Sequence, residues 1–598
     1  MIFERNEIEE RYTWDLSSMF ENDEAFNAAF ERAKALPEQS QAHEATATSS
    51  ASGLLDYLKF VDDGTVLVSK LFNYAARRQD EDTRVSTYQA FLGRVTMLYA
   101  QVSTANAWFT PALIALDPQV LDGYFSQEPG LEVYRRKIES IVRLRPYTLP
   151  AEQEALLAAA SEIAAQPEQI NSMFNDADLT FGTALDAEGV EHQVTHGSFV
   201  TLLRSSDRVL RKNTFDALYS VYEKFRNTSS AILNSQIKQL EFFANARGYA
   251  STLEASMFPT EVPTQVYNNL INAVNAGMDT MYKYVDLRKS MLGVDELHSY
   301  DLYAPMVDSV EKKYTYEEAC EIMYEALAPL GPEYVAQVKK GVESRWIDVY
   351  ETPGKRSGAY SAGGYGMQPV ILLNFQGTID DVFTLVHEMG HSMHTFLACE
   401  TQPPCYSEYE MFVAEVASTT NESLLMQWFL DHATDARERA WLLNHYLEEF
   451  RTTLFRQTMF AEFERDINQM SANGEGITAD ALCDAYGKII EKYFGPGLAH
   501  DDYIALEWAR IPHFYYDYYV YVYATSFSAS VALARKILTE GAPAREAYIN
   551  FLRGGSSKAP IDLLKGAGVD MSTAEPIEAA IQVFADTVEQ LRELAREL

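Results

Sequence analysis

Two histidines four residues apart carry the strongest chemical signal in the sequence. His387 and His391 flank Glu388 in the pattern His-Glu-x-x-His. If this segment is helical, both imidazoles lie on one face and can bind one metal ion. Zn²⁺ accepts neutral imidazole nitrogens at roughly 2.0–2.1 Å, which this spacing allows. Glu388 would lie beside the ion without binding it, where a carboxylate can take a proton from water as a general base. The spacing therefore predicts a site for metal-assisted hydrolysis.

A catalytic zinc site needs a third protein ligand, and a downstream helical segment offers one. Glu415 is the single acidic residue among residues 411–420 and has apolar neighbours. Because a bare buried carboxylate is costly, we expect Glu415 to bind the ion. Glu422 lies seven residues later on the same helical stripe and is expected to orient His387 or His391. His394 is another ligand candidate, but its helical angle departs from the line of the two histidines, which favours a structural role.

An aromatic segment lies further downstream. Residues 510–523 include His513 and six tyrosines within nine positions. Core packing is the alternative interpretation, but so many phenols are hard to satisfy away from water. A helix would present two faces, one with Tyr518 and Tyr521 and the other with Tyr516, Tyr519 and Tyr523. We expect His513 and one of these faces to stabilise the oxyanion of peptide hydrolysis, and the spacing leaves the face open.

A short strand and a helix should position the histidines. Residues 368–375 form an apolar run, and Pro369 favours an edge strand because proline lacks an amide N–H. Asp380 or Asp381 can cap the following helix, which carries residues 382–397. A peptide backbone is expected to pair with the edge strand Val370–Phe375, which makes Val370 and Leu372 substrate-binding candidates.

The rest of the chain is predominantly helical in pattern. Residues 22–175 repeat apolar side chains every three or four positions, and residues 178–200 alternate around a turn, as in a hairpin. A long helix should run from an N-cap at Asp207 to Arg247. We therefore predict an N-terminal helical lobe over 1–200 and a catalytic lobe over 201–598.

Composition excludes several classes of protein. The 598 residues include 49 Lys and Arg against 86 Asp and Glu, a net charge of −37, and 47% are hydrophobic. A chain this apolar is not intrinsically disordered, and one this acidic is a poor partner for nucleic acid or an anionic membrane. Four cysteines without a disulfide pattern favour a reducing compartment. With no leader pattern or membrane span in the sequence, we expect a cytoplasmic protein.

The sequence resembles the oligoendopeptidase F family, within the thimet-oligopeptidase-like group of zinc metallopeptidases. The resemblance spans nearly the whole chain. The matching segments are Trp14–Leu16, Arg247–Tyr249, His298–Tyr303, Lys355–Ser361, Pro369–Phe375, His387–His394, Glu415–Thr419 and Arg510–Phe527.

The resemblance implies a mainly α, two-lobed zincin-type fold with a small β-sheet beside the active-site helix and a deep channel for oligopeptides. It implies one Zn²⁺ per chain and endopeptidase action on short peptides. The ligands would be His387, His391 and Glu415, with Glu388 as the base. Relatives support the oxyanion with a histidine and a Tyr-Tyr-x-Tyr run, which here favours His513 and Tyr521 as catalytic residues. Tyr518 and Tyr360 are further substrate-binding candidates.

Two alternatives remain open on the sequence. A zinc carboxypeptidase or dipeptidyl carboxypeptidase would need a cation near the site to capture the terminal carboxylate, and Lys355, Arg356 or Arg510 could supply it. A non-catalytic peptide-binding protein is the second alternative, although every expected ligand and the base are present. Co²⁺ or Mn²⁺ could support activity in place of Zn²⁺. No particular oligomeric state is predicted.

Overall fold

The computed structural model describes residues 3–307 and 312–597, which form two compact units. The first unit comprises Met1–Thr148, Lys312–Trp428 and Leu533–Val569. The second comprises Leu149–Glu311, Phe429–Ala532 and Asp570–Leu598. Each unit is thus built from three segments of the chain. The boundary predicted near residue 200 lies within a segment of the second unit, and the division into lobes 1–200 and 201–598 stays a prediction.

Helices dominate both units, as the sequence predicted. The α-helices of the first half of the chain are α1 (Asp23–Ala33), α2 (Leu36–His43), α3 (Ala51–Glu81), α4 (Ser86–Asn106), α5 (Phe109–Ala115), α6 (Pro118–Gln127), α7 (Arg135–Val142), α8 (Ala151–Ala164), α9 (Gln166–Ser172), α10 (His196–Leu203), α11 (Arg208–Arg247), α12 (Thr252–Met257), α13 (Thr264–Ala276) and α14 (Met278–Leu292).

The helices of the second half carry the candidate site residues. They are α15 (Tyr316–Ala326), α16 (Pro332–Glu343), α17 (Ile379–Thr401), α18 (Met411–His432), α19 (Ala436–Glu449), α20 (Arg456–Ala472), α21 (Ala479–Phe494), α22 (Tyr521–Glu540), α23 (Ala542–Leu552), α24 (Pro560–Gly566) and α25 (Glu575–Leu594). Across the described residues, none of these helices has both the length and the apolar composition needed to cross a bilayer.

Helix ends follow local capping chemistry. Asp207 caps α11 by accepting a hydrogen bond from the Val209 amide at 2.8 Å, as predicted. The cap of α17 is Thr378 rather than Asp380 or Asp381. The Thr378 hydroxyl accepts from the Asp381 amide at 3.2 Å, and the Asp381 carboxylate accepts from the Thr378 amide at 2.8 Å. This reciprocal capping box explains the shift, because the predicted cap residue serves as its third position.

The predicted hairpin is present in the second unit. Strand β1 (Thr183–Leu185) pairs antiparallel with β2 (Glu191–Gln193), with Ala184 opposite His192. The intervening turn is closed by the Asp186 amide, which donates to the Val190 carbonyl at 3.0 Å.

The first unit contains a three-stranded sheet next to α17. Its strands are β3 (Ile347–Asp348), β4 (Tyr360–Ala362) and β5 (Val370–Leu372), in the order β3-β5-β4. Strand β5 runs parallel to β3 and antiparallel to β4, so it is the central strand.

The prediction that Val370–Phe375 forms an edge strand is wrong. Pro369 directly precedes β5, so its missing N–H removes no bond from the ladder. On one side the Ile371 amide donates to the Trp346 carbonyl at 2.7 Å. On the other side Val370 and Leu372 lie opposite residues of β4. Because both sides are occupied, a substrate cannot add to this strand, and Val370 and Leu372 are core residues instead.

An aromatic core supports the sheet. Val370 and Leu372 belong to a buried cluster that α1, α3 and α4 complete. At its centre the Phe26 ring stacks on Phe91 at 4.5 Å and on Tyr74 at 5.4 Å between centroids. Burying one such ring contributes roughly 1.5–3 kcal/mol. This packing fixes the sheet from which β4 faces α17.

Candidate active site

Helix α17 presents the two histidines on one face. The His387 and His391 rings lie 4.9 Å apart between centroids and are inclined by 80°. Both side chains are partly accessible, whereas the neighbouring Val386, Met389 and Gly390 are buried. The predicted placement of both imidazoles on one face of a helix is therefore present, because residues four apart are separated by about one helical turn.

Helix α18 brings Glu415 to these rings. Its Oε2 atom lies 3.5 Å from His387 Nε2 and 3.5 Å from His391 Nε2. The Ser418 hydroxyl donates to the same oxygen at 3.0 Å and so orients the carboxylate. Burial acts to raise the pKa of Glu415, but the hydrogen bond and charge of His391 outweigh it and lower that pKa to about 2. Glu415 is therefore ionised, as a metal ligand must be.

Glu422 orients the first histidine from behind. Its Oε1 lies 3.1 Å from His387 Nδ1. A carboxylate there fixes the proton on Nδ1 and leaves Nε2 to face Glu415. Burial acts to lower the pKa of His387, but the Glu422 carboxylate raises it to about 9. Because a metal ion and a proton compete for Nε2, the ion must displace the proton to bind.

The donor set fits a zinc ion. Within the described parts of the chain, one group of at least three His, Cys, Asp or Glu side chains has donor atoms that all lie within 4.8 Å of one another. It consists of His387, His391 and Glu415. Two donors, each roughly 2.0–2.1 Å from a tetrahedral Zn²⁺, lie about 3.4 Å apart, close to the observed 3.5 Å from Glu415 to each Nε2. Two imidazoles and one carboxylate also match the three-ligand pattern of catalytic zinc.

Glu388 lies beside this group but is not part of it. Its side chain is buried, with 7% exposure. Burial raises the pKa of Glu388, and the positive charge that His387 and His391 can carry acts against that rise. A carboxylate with a raised pKa is a stronger base than one in water, which suits proton abstraction.

Close contact between α17 and α18 is possible only because of Gly390. A Cβ atom at this position would lie 2.7 Å from the Ala417 carbonyl oxygen and 2.7 Å from Ser418 Cα. The Asn421 side-chain amide then bridges the helices by donating to the Val386 carbonyl at 3.3 Å. Glycine between the two histidines thus lets the backbone that carries Glu415 approach the face of α17 that carries both imidazoles.

His394 has a packing role rather than a place in the donor group. Its buried ring stacks on Tyr409 with centroids 3.7 Å apart and planes inclined by 3°. The Tyr409 hydroxyl lies 3.2 Å from Thr395 Oγ1. Burial lowers the pKa of His394 to about 3, so the ring is neutral. Sequence reasoning missed Tyr409, because a single tyrosine in a connecting segment carries no spacing signal.

Strand β4 connects the sheet to α17. Ser361 Oγ and Ser392 Oγ are 2.7 Å apart. The Tyr360 hydroxyl donates to Asp80 at 2.5 Å, and the Arg77 guanidinium lies 4.7 Å from the centre of the Tyr360 ring. Tyr360 thus already has partners within the first unit, and its role toward substrate stays a prediction.

The aromatic segment in the second unit separates into two sets of tyrosines. The ring of His513 contacts Tyr516 and Tyr523 at 5.5 and 5.9 Å between centroids, and Tyr519 contacts Tyr523 at 5.3 Å. This accessible set includes Tyr516, which is 46% exposed.

Tyr518 and Tyr521 form the other, buried set. Tyr521 is only 5% exposed, and both rings pack on Tyr267 at 5.7 and 5.1 Å. The face that the family resemblance favoured is therefore the buried one, because the segment is not one continuous helix: α22 begins only at Tyr521. Burial lowers the pKa of His513, which is therefore neutral at pH 7.

Comparison with known proteins identifies the family. The model of peptidase family M3 matches residues 201–583, and that of oligopeptidase F matches residues 113–181. The chain belongs to peptidase family M3. It is 44% identical over 591 residues to oligopeptidase PepF of Bacillus subtilis (strain 168), covering 99% of this chain and 88% of that protein.

Solved structures agree with this family M3 assignment. A crystal structure from Chlamydophila abortus superimposes with a TM-score of 0.94 at 35% identity, covering 99% of this chain and 100% of that one. Oligoendopeptidase F from Enterococcus faecium gives a TM-score of 0.75 at 38% identity, covering 96% and 100%. The mainly helical zincin-type fold and the family resemblance are confirmed. Because the chain belongs to peptidase family M3 and its relatives are oligopeptidases, it is a metallo-endopeptidase.

Substitution G390A is expected to weaken metal binding by this family M3 peptidase about 10- to 100-fold. The added methyl group would overlap α18 and move Glu415 away from the histidines. Metal content after equilibrium dialysis against a competing chelator measures the change.

Gly93 in α4 provides the matched control, because a Cβ there would meet nothing within 4 Å. G93A should leave metal affinity unchanged and stabilise the fold by roughly 0.5–1 kcal/mol. Metal affinity equal to the wild type in G390A would show that the contact with α18 does not control the site.

Proposed function

We propose that this metallo-endopeptidase binds one Zn²⁺ through His387, His391 and Glu415 and hydrolyses internal bonds of short oligopeptides, with Glu388 as the general base. This proposal depends on the convergence of three donor atoms: Glu415 Oε2 lies 3.5 Å from Nε2 of each histidine. The relatives named oligopeptidase and oligoendopeptidase support the choice of oligopeptides as substrates.

The chain's own residues move the protons. Zn²⁺ supplies Lewis acidity, which brings the pKa of water to about 7 and polarises the scissile carbonyl. Glu388 accepts the proton from water as its oxygen bonds to the carbonyl carbon. When the C–N bond breaks, the protonated Glu388 gives that proton to the leaving nitrogen. Its position next to His387 and its raised pKa support both steps.

Donors from the aromatic segment would stabilise the oxyanion. The sequence predicts His513 and Tyr521 as donors, but Tyr521 is buried against Tyr267. Tyr523 is partly exposed and contacts the His513 ring. We therefore assign the phenol donor to Tyr523 and an anchoring role to Tyr521. Neutral His513 can donate a hydrogen bond to an anion through one ring nitrogen.

The substrate backbone would pair with β4. This strand ends the three-stranded sheet and lies against the helix that carries the histidines. Addition of an extended peptide to a sheet edge uses backbone hydrogen bonds, so it fixes register and tolerates many sequences.

Existing ion pairs argue against capture of a substrate's terminal carboxylate. Lys355 is fully buried and lies 2.7 Å from Asp348. Arg510 lies 2.9 Å from Glu507, and Arg356 lies 3.3 Å from Asp80. Each of the three cations that could serve the carboxypeptidase alternative therefore already has a carboxylate partner. This favours cleavage at internal bonds.

Four free cysteines support a cytoplasmic location, as the sequence suggested. Cys320, Cys399, Cys405 and Cys483 form no disulfide. Thiols in this state are typical of a reducing compartment.

A quenched fluorescent peptide of about ten residues tests the catalytic assignment. The zinc-loaded wild type should cleave it, a chelator should abolish cleavage, and added Zn²⁺ should restore it. E388Q should retain zinc but lose about 10³-fold in kcat, because its amide cannot accept the proton. Stopped assays with parallel metal analysis measure both.

The control is E400Q, an exposed glutamate on the same helix, which should keep wild-type activity. Wild-type turnover by zinc-loaded E388Q would remove Glu388 from the mechanism. Tight peptide binding by the zinc-loaded wild type without cleavage would instead support the non-catalytic alternative.

Peptides blocked at both ends test internal cleavage. An N-acetylated and C-amidated peptide should be cut as fast as its free counterpart, because no terminal charge is recognised. Fragment masses locate the cut. Cleavage confined to the last one or two residues, and only with a free C-terminus, would establish the carboxypeptidase alternative.

Paired phenol deletions test the oxyanion donor. Y523F should lower kcat about 10²-fold with little change in KM, because the lost donor acts on charge that develops in the transition state. Y521F should lower kcat less than 10-fold, since its ring packing remains. Steady-state kinetics at fixed zinc content measures both, and the opposite order would return the role to Tyr521.

A further inference from the structure

A strained turn precedes α22 in the second unit. Asp517 has φ 53° and Tyr518 has φ 63°, so two consecutive non-glycine residues adopt left-handed backbone conformations. Such conformations crowd the side chain against the backbone and persist only where the surroundings impose them. This turn joins the 3-10 turn Pro512–Tyr515, which carries His513, to the first residues of α22.

Side chains from two helices hold Asp517 in place. The Gln236 amide of α11 donates to Asp517 Oδ1 at 2.9 Å and to the Tyr515 carbonyl at 3.3 Å. The Ser256 hydroxyl of α12 donates to the Asp517 carbonyl at 2.6 Å. The polar groups of the first strained residue are therefore tied to neighbouring elements.

Glu464 of α20 holds the second strained residue. Its Oε1 accepts the backbone N–H of Tyr518 at 2.8 Å. The Glu464 side chain is 1% exposed, and its Oε2 has no hydrogen-bond partner among the described residues. Burial raises the pKa of Glu464 to about 8, so the neutral carboxylic acid prevails at pH 7. An apolar residue at position 464 would avoid the cost of removing a carboxyl group from water. Because that cost is offset here by the hydrogen bond from the Tyr518 amide, we infer that Glu464 serves to fix the backbone conformation.

Aromatic packing transmits the geometry of the turn to α22. The buried ring of Tyr267 contacts both Tyr518 and Tyr521, and its hydroxyl donates to the Ala461 carbonyl of α20 at 2.6 Å. Thr252 Oγ1 lies 2.6 Å from the Tyr518 hydroxyl. Helix α20 therefore fixes the turn through Glu464 and the start of α22 through Tyr267.

We propose that Glu464 is a positioning residue: by accepting the Tyr518 amide it imposes the left-handed turn that sets the relative placement of His513 and Tyr523. Its catalytic consequence rests on the proposed function, in which this pair stabilises the oxyanion. Glu464 acts through the turn and touches no reacting atom.

The test compares E464L, which removes the acceptor, with E464Q, which retains an amide oxygen in the shape of the neutral acid. E464L should lower kcat about 10-fold or more with KM within about 2-fold, at unchanged zinc content. E464Q should stay within about 2-fold of the wild type. Combining E464L with Y523F should add less than 2-fold to the loss of Y523F alone, because both changes remove one interaction.

Hydrogen exchange tests the positioning step without relying on turnover. Amides of residues 516–523 should exchange at least 10-fold faster in E464L than in E464Q and the wild type. T252V, which removes only the contact with the Tyr518 hydroxyl, should give the same pattern at about 2- to 3-fold and serves if E464L does not fold.

The outcomes separate the two proposals. Equal exchange and equal kcat in E464L, E464Q and wild type would overturn the role of Glu464. Faster exchange in E464L together with wild-type kinetics in Y523F would support the positioning role and overturn the oxyanion assignment instead. A loss in E464L that appears in KM alone would show a merely structural effect and overturn the inference.

Discussion

The approach of α18 to α17 at Gly390 sets whether a carboxylate can join the two histidines. A helix places residues four apart on one face without help from the rest of the protein, but it cannot supply the third donor. Glu415 reaches the rings because a hydrogen atom, rather than a methyl group, lies between Gly390 and the Ala417 carbonyl. Helix packing distances vary with the side chains at the contact, and glycine permits the smallest separation. The grouping of these three possible metal ligands thus depends on one backbone contact.

Negative charge accumulates around the two histidines and must be offset by a nearby positive charge. Three carboxylates, Glu388, Glu415 and Glu422, lie next to two imidazoles in a partly buried setting. A proton on His387, whose pKa is raised to about 9, supplies one positive charge against these carboxylates. A divalent cation bound at Nε2 would supply two. Glu422 is compatible with a proton or a metal ion at Nε2 of His387. In either case it accepts the Nδ1 proton and leaves Nε2 to the proton or the ion.

Local patterns in the sequence predicted local structure well. The cap at Asp207, the end of α11 at Arg247, the hairpin and the helix that carries Glu415 all depend on neighbours within a few residues. The central position of β5 could not be predicted in this way. Its partner β3 has two residues and lies more than twenty positions earlier, and no periodicity marks so short a strand. Tyr409 was missed for a similar reason, since only the fold brings it onto His394.

The aromatic segment shows how a backbone feature can reverse a pattern-based choice of face. A continuous helix through residues 515–523 would group Tyr518 with Tyr521 as one surface, and the family resemblance selected that surface for catalysis. Left-handed conformations at Asp517 and Tyr518 interrupt this helical periodicity, because an α-helix needs negative φ values. The sequence gives no sign of them, since neither residue is glycine. Both phenol rings then turn onto Tyr267, while Tyr523 stays beside His513. The two buried rings and the two rings beside His513 therefore lie on different sides of the segment, which a helical pattern read from the sequence could not show.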